Sequence, residues 1–137
     1  MKNQNFLNQC DARLRRIFYE VNKRTTVEIL PSTIRTIEHQ KYLVEMGVSK
    51  TMNSLHLIDE QHPFSRAVDA GPWPIIWPDK RNPKYVYTIG QFYYFAGVVL
   101  EVAHELLIPI RYGGDWDGDF NVTNQTFYDL VHFELKE

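Results

Sequence analysis

Apolar residues recur near the start of the chain at helical spacing. Cys10, Leu14, Ile17, Phe18 and Val21 fall on one face, with Arg13, Arg15, Arg16 and Glu20 between them, which predicts an amphipathic helix. The pattern then changes: Thr25-Thr26-Val27-Glu28-Ile29-Leu30 reads as a short strand closed by Pro31. A second helix is predicted from Thr36, with Ile37, Tyr42, Leu43 and Met46 as its apolar positions and Gly47 as its stop. Residues 48–84 hold five of the seven prolines and read mostly as loop, interrupted by a short strand at Ala67-Val68-Asp69. The longest helical pattern runs from Thr88 to Leu107, with Phe92, Phe95, Val99, Val102 and Leu106 on one face. Pro109 to Tyr112 reads as a strand, residues 113–119 as an acidic turn, and Val131 to Leu135 as an alternating strand. Helices and strands mixed in this order predict an α+β fold.

Composition narrows the classes. At 137 residues the chain is expected to form one domain, 1–137, that buries a core without disulfides. Its single cysteine, Cys10, excludes a disulfide framework and a cysteine-based zinc cluster, and its place on the apolar side of the first helix makes it a core residue. No unbroken apolar run approaches the roughly 20 residues of a membrane span, so stable membrane insertion is not expected. The first residues lack the apolar stretch of a secretory signal. Charge is uneven: residues 1–50 carry nine Lys and Arg against five Asp and Glu, whereas residues 101–137 carry two against eight. The net charge of −2 gives no general attraction to nucleic acid, and the aromatic-rich middle third is charge-neutral, unlike a single-strand binding groove. Carboxylates crowded with histidine in the last third point instead to a cation.

His56, Asp69 and His132 sit at the edges of predicted strands. Two imidazoles and a carboxylate suit zinc with an open fourth position, although sequence spacing alone does not join residues so far apart. Asp129 precedes His132 by three residues, an offset that can bring a carboxylate near a metal-activated water as general base and acid. Asp115, Asp117 and Asp119 alternate like the start of a calcium loop, but Phe120 and Thr126 stand where an EF-hand needs Gly and Glu. The remaining readings are a looser Ca²⁺ site or a solvated acidic turn. Glu101-Val102-Ala103-His104-Glu105 lacks the second histidine of a metalloprotease helix. Trp73, Trp77, Tyr85 and Tyr87 read either as a substrate wall or as cover for a loop-rich core.

The local wording resembles a known family. Ser54-Leu55-His56 followed by Ala67-Val68-Asp69 resembles the S-x-H…A-x-D signature of the zinc D-alanyl-D-alanine carboxypeptidases, dipeptidases and L-alanyl-D-glutamate endopeptidases, small phage endolysins among them. Arg111-Tyr112-Gly113-Gly114-Asp115-Trp116 resembles the family's R-[WF]-G-[GA]-D-W. Asp129-Leu130-Val131-His132-Phe133-Glu134-Leu135 resembles its [DE]-x-x-H-[FV]-E-L ending, and Ile34-Arg35-Thr36 with Gln40 its R-[ST]-x-x-x-Q stretch. The resemblance implies a D-Ala-D-Ala peptidase/Hedgehog-like fold, a short antiparallel sheet flanked by helices. It implies Zn²⁺ on His56, Asp69 and His132, Asp129 as acid/base, Arg35 beside the metal, and Trp116 and Gln40 on the substrate. Twelve residues separate His56 from Asp69, where compact members have six. His62 has the compact spacing and is the alternative first ligand, but His56 keeps the serine two residues before it.

The function so implied is hydrolysis of an amide bond in the peptidoglycan stem peptide, of the endolysin type at L-alanyl-D-glutamate. The alternatives are a D,D-carboxypeptidase or dipeptidase, or a non-catalytic wall-binding or virion protein on the same scaffold. The expected life of the protein is that of a monomer, made in a host cytoplasm without a signal peptide and acting in the periplasm or cell wall after release.

Overall fold

The first predicted helix begins at its cap, Asp11, one residue after Cys10. In the computed structural model, which describes residues 1–49 and 52–137, a short α1 (Gln4–Leu7) is followed by α2 (Ala12–Asn22). The Asp11 carboxylate accepts from the Arg13 N–H and caps α2. Cys10 therefore lies outside the helix, yet it is fully buried, and burial pushes its thiol up to about 12. The first strand shortens to β1 (Val27–Ile29), and Pro31–Thr33 form a 3-10 turn absent from the sequence reading. Thr36 caps α3 (Ile37–Glu45) by accepting from His39 N–H, and Gly47 at φ 74° supplies the left-handed stop. The expected apolar face of α3 is corrected: Ile37, Tyr42 and Met46 are exposed, and Gln40 is its buried residue. Among the described residues nothing covers that stripe enough to bury it.

Then come β2 (Ala67–Pro72), α4 (Tyr85–Glu105), β3 (Ile110–Tyr112) and β4 (His132–Leu135). All four strands join one antiparallel sheet in the order β1-β2-β4-β3. Successive strand side chains point to opposite faces. Val68, Ala70 and Phe133 thus enter a core shared with Leu14, Ile17 and Phe18 of α2 and Phe95 and Val99 of α4. Phe133 is its hub, with ring centroids 5.8 Å from Phe18, 6.2 Å from Phe95 and 4.9 Å from Tyr112. By length and composition α4 could cross a membrane, but here its Phe92, Phe95, Ala96, Val99, Val102 and Ala103 are buried, and it packs on α2 and the sheet. The alternation that sends Phe133 into the core sends His132 and Glu134 to the other face, where the polar groups gather.

Candidate active site

Strand register builds the first half of the site. Asp69 of β2 lies directly opposite His132 of β4, so their side chains share one face as near neighbours. A slip of one residue would turn His132 into the core and Phe133 out of it. His56 arrives from a loop. Its backbone N–H donates to Ser54 Oγ, Ile58 N–H donates to Arg35 O and Arg66 N–H donates to Leu55 O, which holds residues 54–58 between the chain at Arg35 and β2.

The three expected ligand atoms form a small triangle. His56 Nε2 is 3.1 Å from His132 Nδ1, and each is 3.3 Å from Asp69 Oδ1. All three residues are buried. Outer hydrogen bonds decide which ring nitrogens carry protons. His56 Nδ1 is 3.0 Å from the Thr33 carbonyl, which only accepts, so that nitrogen donates and Nε2 turns a lone pair inward. His132 Nε2 is 3.3 Å from Glu134 Oε1, so it donates there and Nδ1 turns inward. Asp69 Oδ2 accepts from Ser32 Oγ at 2.6 Å, and the Asp69 backbone is held at both its N–H and C=O by Thr33 Oγ1. Oδ1 is left buried without a hydrogen-bond donor.

Three inward acceptors with no proton among them repel one another unless a cation sits between. The spacing fits one: ligands ~2.0–2.1 Å from a tetrahedral ion stand about 3.3 Å apart. In the metal-free site a proton meets part of the same demand for positive charge. Burial opposes ionisation of Asp69, but the His132 and His56 rings that face it outweigh burial and hold the carboxyl far below its usual range. Burial likewise disfavours charge on His132, yet the Asp69 and Glu134 carboxylates beside it win and push the imidazole up to about 9.

Around this group lie the other expected residues. Asp129 sits one turn before His132, whose N–H donates to the Asp129 carbonyl. Burial, and then the charge of Asp69, pushes the Asp129 carboxyl above its usual range. Arg35 Nη1 donates to Gln40 Oε1 at 3.0 Å and to Ser54 Oγ at 3.4 Å, which ties it to the His56 segment. Gln40 is fully buried beneath that arginine and also donates to Ser49 Oγ. The Trp116 ring lies 5.4 Å from His132, stacked on Phe127, with Nε1–H donating to Phe127 O. His62 stays outside the triangle: its N–H donates to Asp59 Oδ1 and its ring lies 3.5 Å from the same oxygen. Asp115, Asp117 and Asp119 converge as a second acidic group, and Asp115 Oδ1 is buried without a donor.

Sequence reasoning missed Ser32, Thr33 and Glu134. Ser32 and Thr33 follow Pro31 in a turn with no motif of its own. Glu134 was visible at alternate spacing from His132, on the same strand face, and that spacing could have marked it as the imidazole's partner.

Fold and site together define a small α+β domain in which one sheet face and an adjoining loop bring together a His–Asp–His group that could hold a metal ion. Residues 2–136 match the family of phage L-alanyl-D-glutamate peptidases, and the chain belongs to that family of peptidoglycan hydrolases. No curated protein sequence matches it. Among solved structures it is similar to the L-Ala D-Glu endopeptidase ChiX of Serratia marcescens. The TM-score is 0.69 at 21% identity, over 98% of this chain and 86% of that one. At that identity the likeness speaks for the fold.

Proposed function

We propose that this peptidase is zinc-dependent and cuts the stem peptide between L-alanine and D-glutamate. The observation that carries the metal is the triangle of His56 Nε2, Asp69 Oδ1 and His132 Nδ1, with both imidazoles oriented by acceptors behind them. Zinc held there would polarise the scissile carbonyl and make water nucleophilic near neutral pH. Asp129 takes the proton of the attacking water. It returns that proton to the departing amine of D-glutamate as the L-alanyl C–N bond breaks. Its raised pKa suits a group that must first accept a proton and then give it up. Arg35, held by Gln40 and Ser54, offers positive charge to a substrate carboxylate or to the oxyanion. Trp116 forms a flat wall beside His132 for the peptide backbone.

A synthetic stem peptide tests the bond. Cleavage at L-alanyl-D-glutamate releases a fragment with a new D-glutamyl amino terminus, whereas a D,D-carboxypeptidase releases free D-alanine. Fragment masses carrying D-alanine alone would move the protein to the carboxypeptidase reading. A second cation fits the acidic loop, where Asp115 keeps one carboxylate oxygen buried and unpartnered beside Asp117 and Asp119. Calorimetry with Ca²⁺ is expected to give a binding isotherm that Asp117→Asn weakens at least tenfold. No heat at millimolar Ca²⁺ would leave the loop as a solvated turn.

A further inference from the structure

The turn from Asp129 to His132 carries the proposed acid/base at one end and a proposed ligand at the other, so whatever fixes this turn fixes their relation. Gly113 holds both ends. Its N–H donates to His132 O at 2.8 Å, and its C=O accepts from Asp129 N–H at 2.8 Å. The turn closes on itself through His132 N–H to Asp129 O at 3.2 Å. Tyr112 adds a hold on the middle: its hydroxyl donates to Leu130 O at 2.9 Å. The Tyr112 ring is anchored in turn, stacked on Phe133 and edge-on to Tyr93.

Space, not backbone freedom, demands glycine at 113. The residue has no left-handed φ, but a Cβ there would collide with the Asp129 carbonyl oxygen and stand 3.0 Å from Asp129 Cβ. That carbonyl is the same one that closes the turn. Any side chain at 113 must therefore push Asp129 away from the sheet or break the bond that sets its spacing from His132. Gly97 of α4 is the contrast, with nothing near a Cβ.

We propose that Tyr112 and Gly113 are positioning residues that clamp the Asp129–His132 turn and set the acid/base in register with the metal site. The clamp rests on the reading of Asp129 as acid/base. A displacement of about 1 Å at a reacting group costs on the order of 100-fold in rate. Gly113→Ala is thus expected to lower kcat about 100-fold with KM within about threefold and one zinc still bound at saturating metal. Tyr112→Phe keeps the ring and loses only the hydroxyl, and about a tenfold fall in kcat is expected.

The decisive readout is coupling. If the clamp acts through Asp129, the Gly113→Ala/Asp129→Asn double variant is no slower than Asp129→Asn alone. Losses that multiply would show a role unrelated to Asp129 and overturn the clamp. Should Gly113→Ala fail to fold, Tyr112→Phe alone and combined with Asp129→Asn reads the same coupling. Gly97→Ala serves as the neutral control. Wild-type turnover in Asp129→Asn would sink the acid/base reading and the clamp with it. An inactive Asp129→Asn beside wild-type kcat in both Gly113→Ala and Tyr112→Phe would overturn the clamp alone.

Discussion

Asp129→Asn is expected to lower kcat by about 10²–10⁴-fold while the protein stays folded and keeps its metal. The amide has nearly the carboxylate's shape but can neither accept the water's proton nor return one to the amine. None of the three converging ligands is altered, so zinc content is expected to match wild type. The fold does not depend on the carboxylate's charge either: burial and the nearby charge of Asp69 already disfavour it. Removing that charge relieves a strain, so the variant should unfold at the same temperature as wild type or slightly above it. Steady-state turnover of a stem peptide, with zinc measured on the same sample, checks this. Turnover within tenfold of wild type would remove Asp129 from the chemistry.

Stripping the metal is expected to make stability depend steeply on pH. In the metal-free protein His132 is pushed up to about 9, above the ordinary imidazole value near 6.5. A group whose folded pKa is raised stabilises the fold fully below its unfolded pKa and loses that contribution as pH rises through the folded value. The loss therefore falls between about pH 6.5 and 9 and is at most about 3 kcal/mol. Asp69 works in the opposite sense. Its folded pKa is lowered, so its contribution is present above the ordinary carboxylate range and is lost only in strong acid. Chelated protein should thus be most stable between roughly pH 4 and 6.5 and weaken on the alkaline side. Zinc replaces the proton, so metal-loaded protein should lose little over that alkaline window and melt higher throughout it. Ligand identity can be read in the same experiment. His56→Ala should lose both zinc and the metal-dependent rise in Tm, while His62→Ala should keep both. The reverse result would assign the first ligand to His62. Equal melting of chelated and zinc-loaded protein at pH 8 would speak against a metal at this group.

Much of this architecture was legible because periodicity and strand alternation are local. The strand at Ala67, the closing strand and the long helix were visible in the apolar pattern, although the helix, expected from Thr88 to Leu107, runs Tyr85–Glu105 and takes in Tyr85 and Tyr87. Asp69 and His132 were each placed at the edge of a strand. Their juxtaposition was not visible, because it depends on β2 pairing with β4 across the sheet. The choice of His56 over His62 rested on the serine at 54, and the structure gives that serine work: its hydroxyl accepts from both the His56 N–H and Arg35. The first predicted helix holds as α2, with Leu14, Ile17, Phe18 and Val21 buried, and only Cys10 falls outside it because Asp11 is the cap. The face of α3 was misread because an apolar stripe was assumed to find a partner, and Ile37, Tyr42 and Met46 find none that buries them. Ser32 and Thr33 escaped because their contact with Asp69 is set by a turn with no motif of its own, whereas Glu134 stood at a readable alternate spacing from His132. Like the contacts of Ser32 and Thr33, the backbone clamp at Gly113 was hidden, although the paired glycines themselves were in plain view.

The most direct test of the metal-dependent peptidase is digestion of purified peptidoglycan by untreated, chelated and zinc-restored protein, with the released fragments weighed by mass spectrometry. The account predicts stem-peptide fragments beginning at D-glutamate from the untreated and restored samples and none from the chelated one. Equal release by all three would contradict the metal. Failure of folded, zinc-loaded protein to release any stem peptide would contradict this wall-cutting activity for the chain and favour a binding role on the same scaffold.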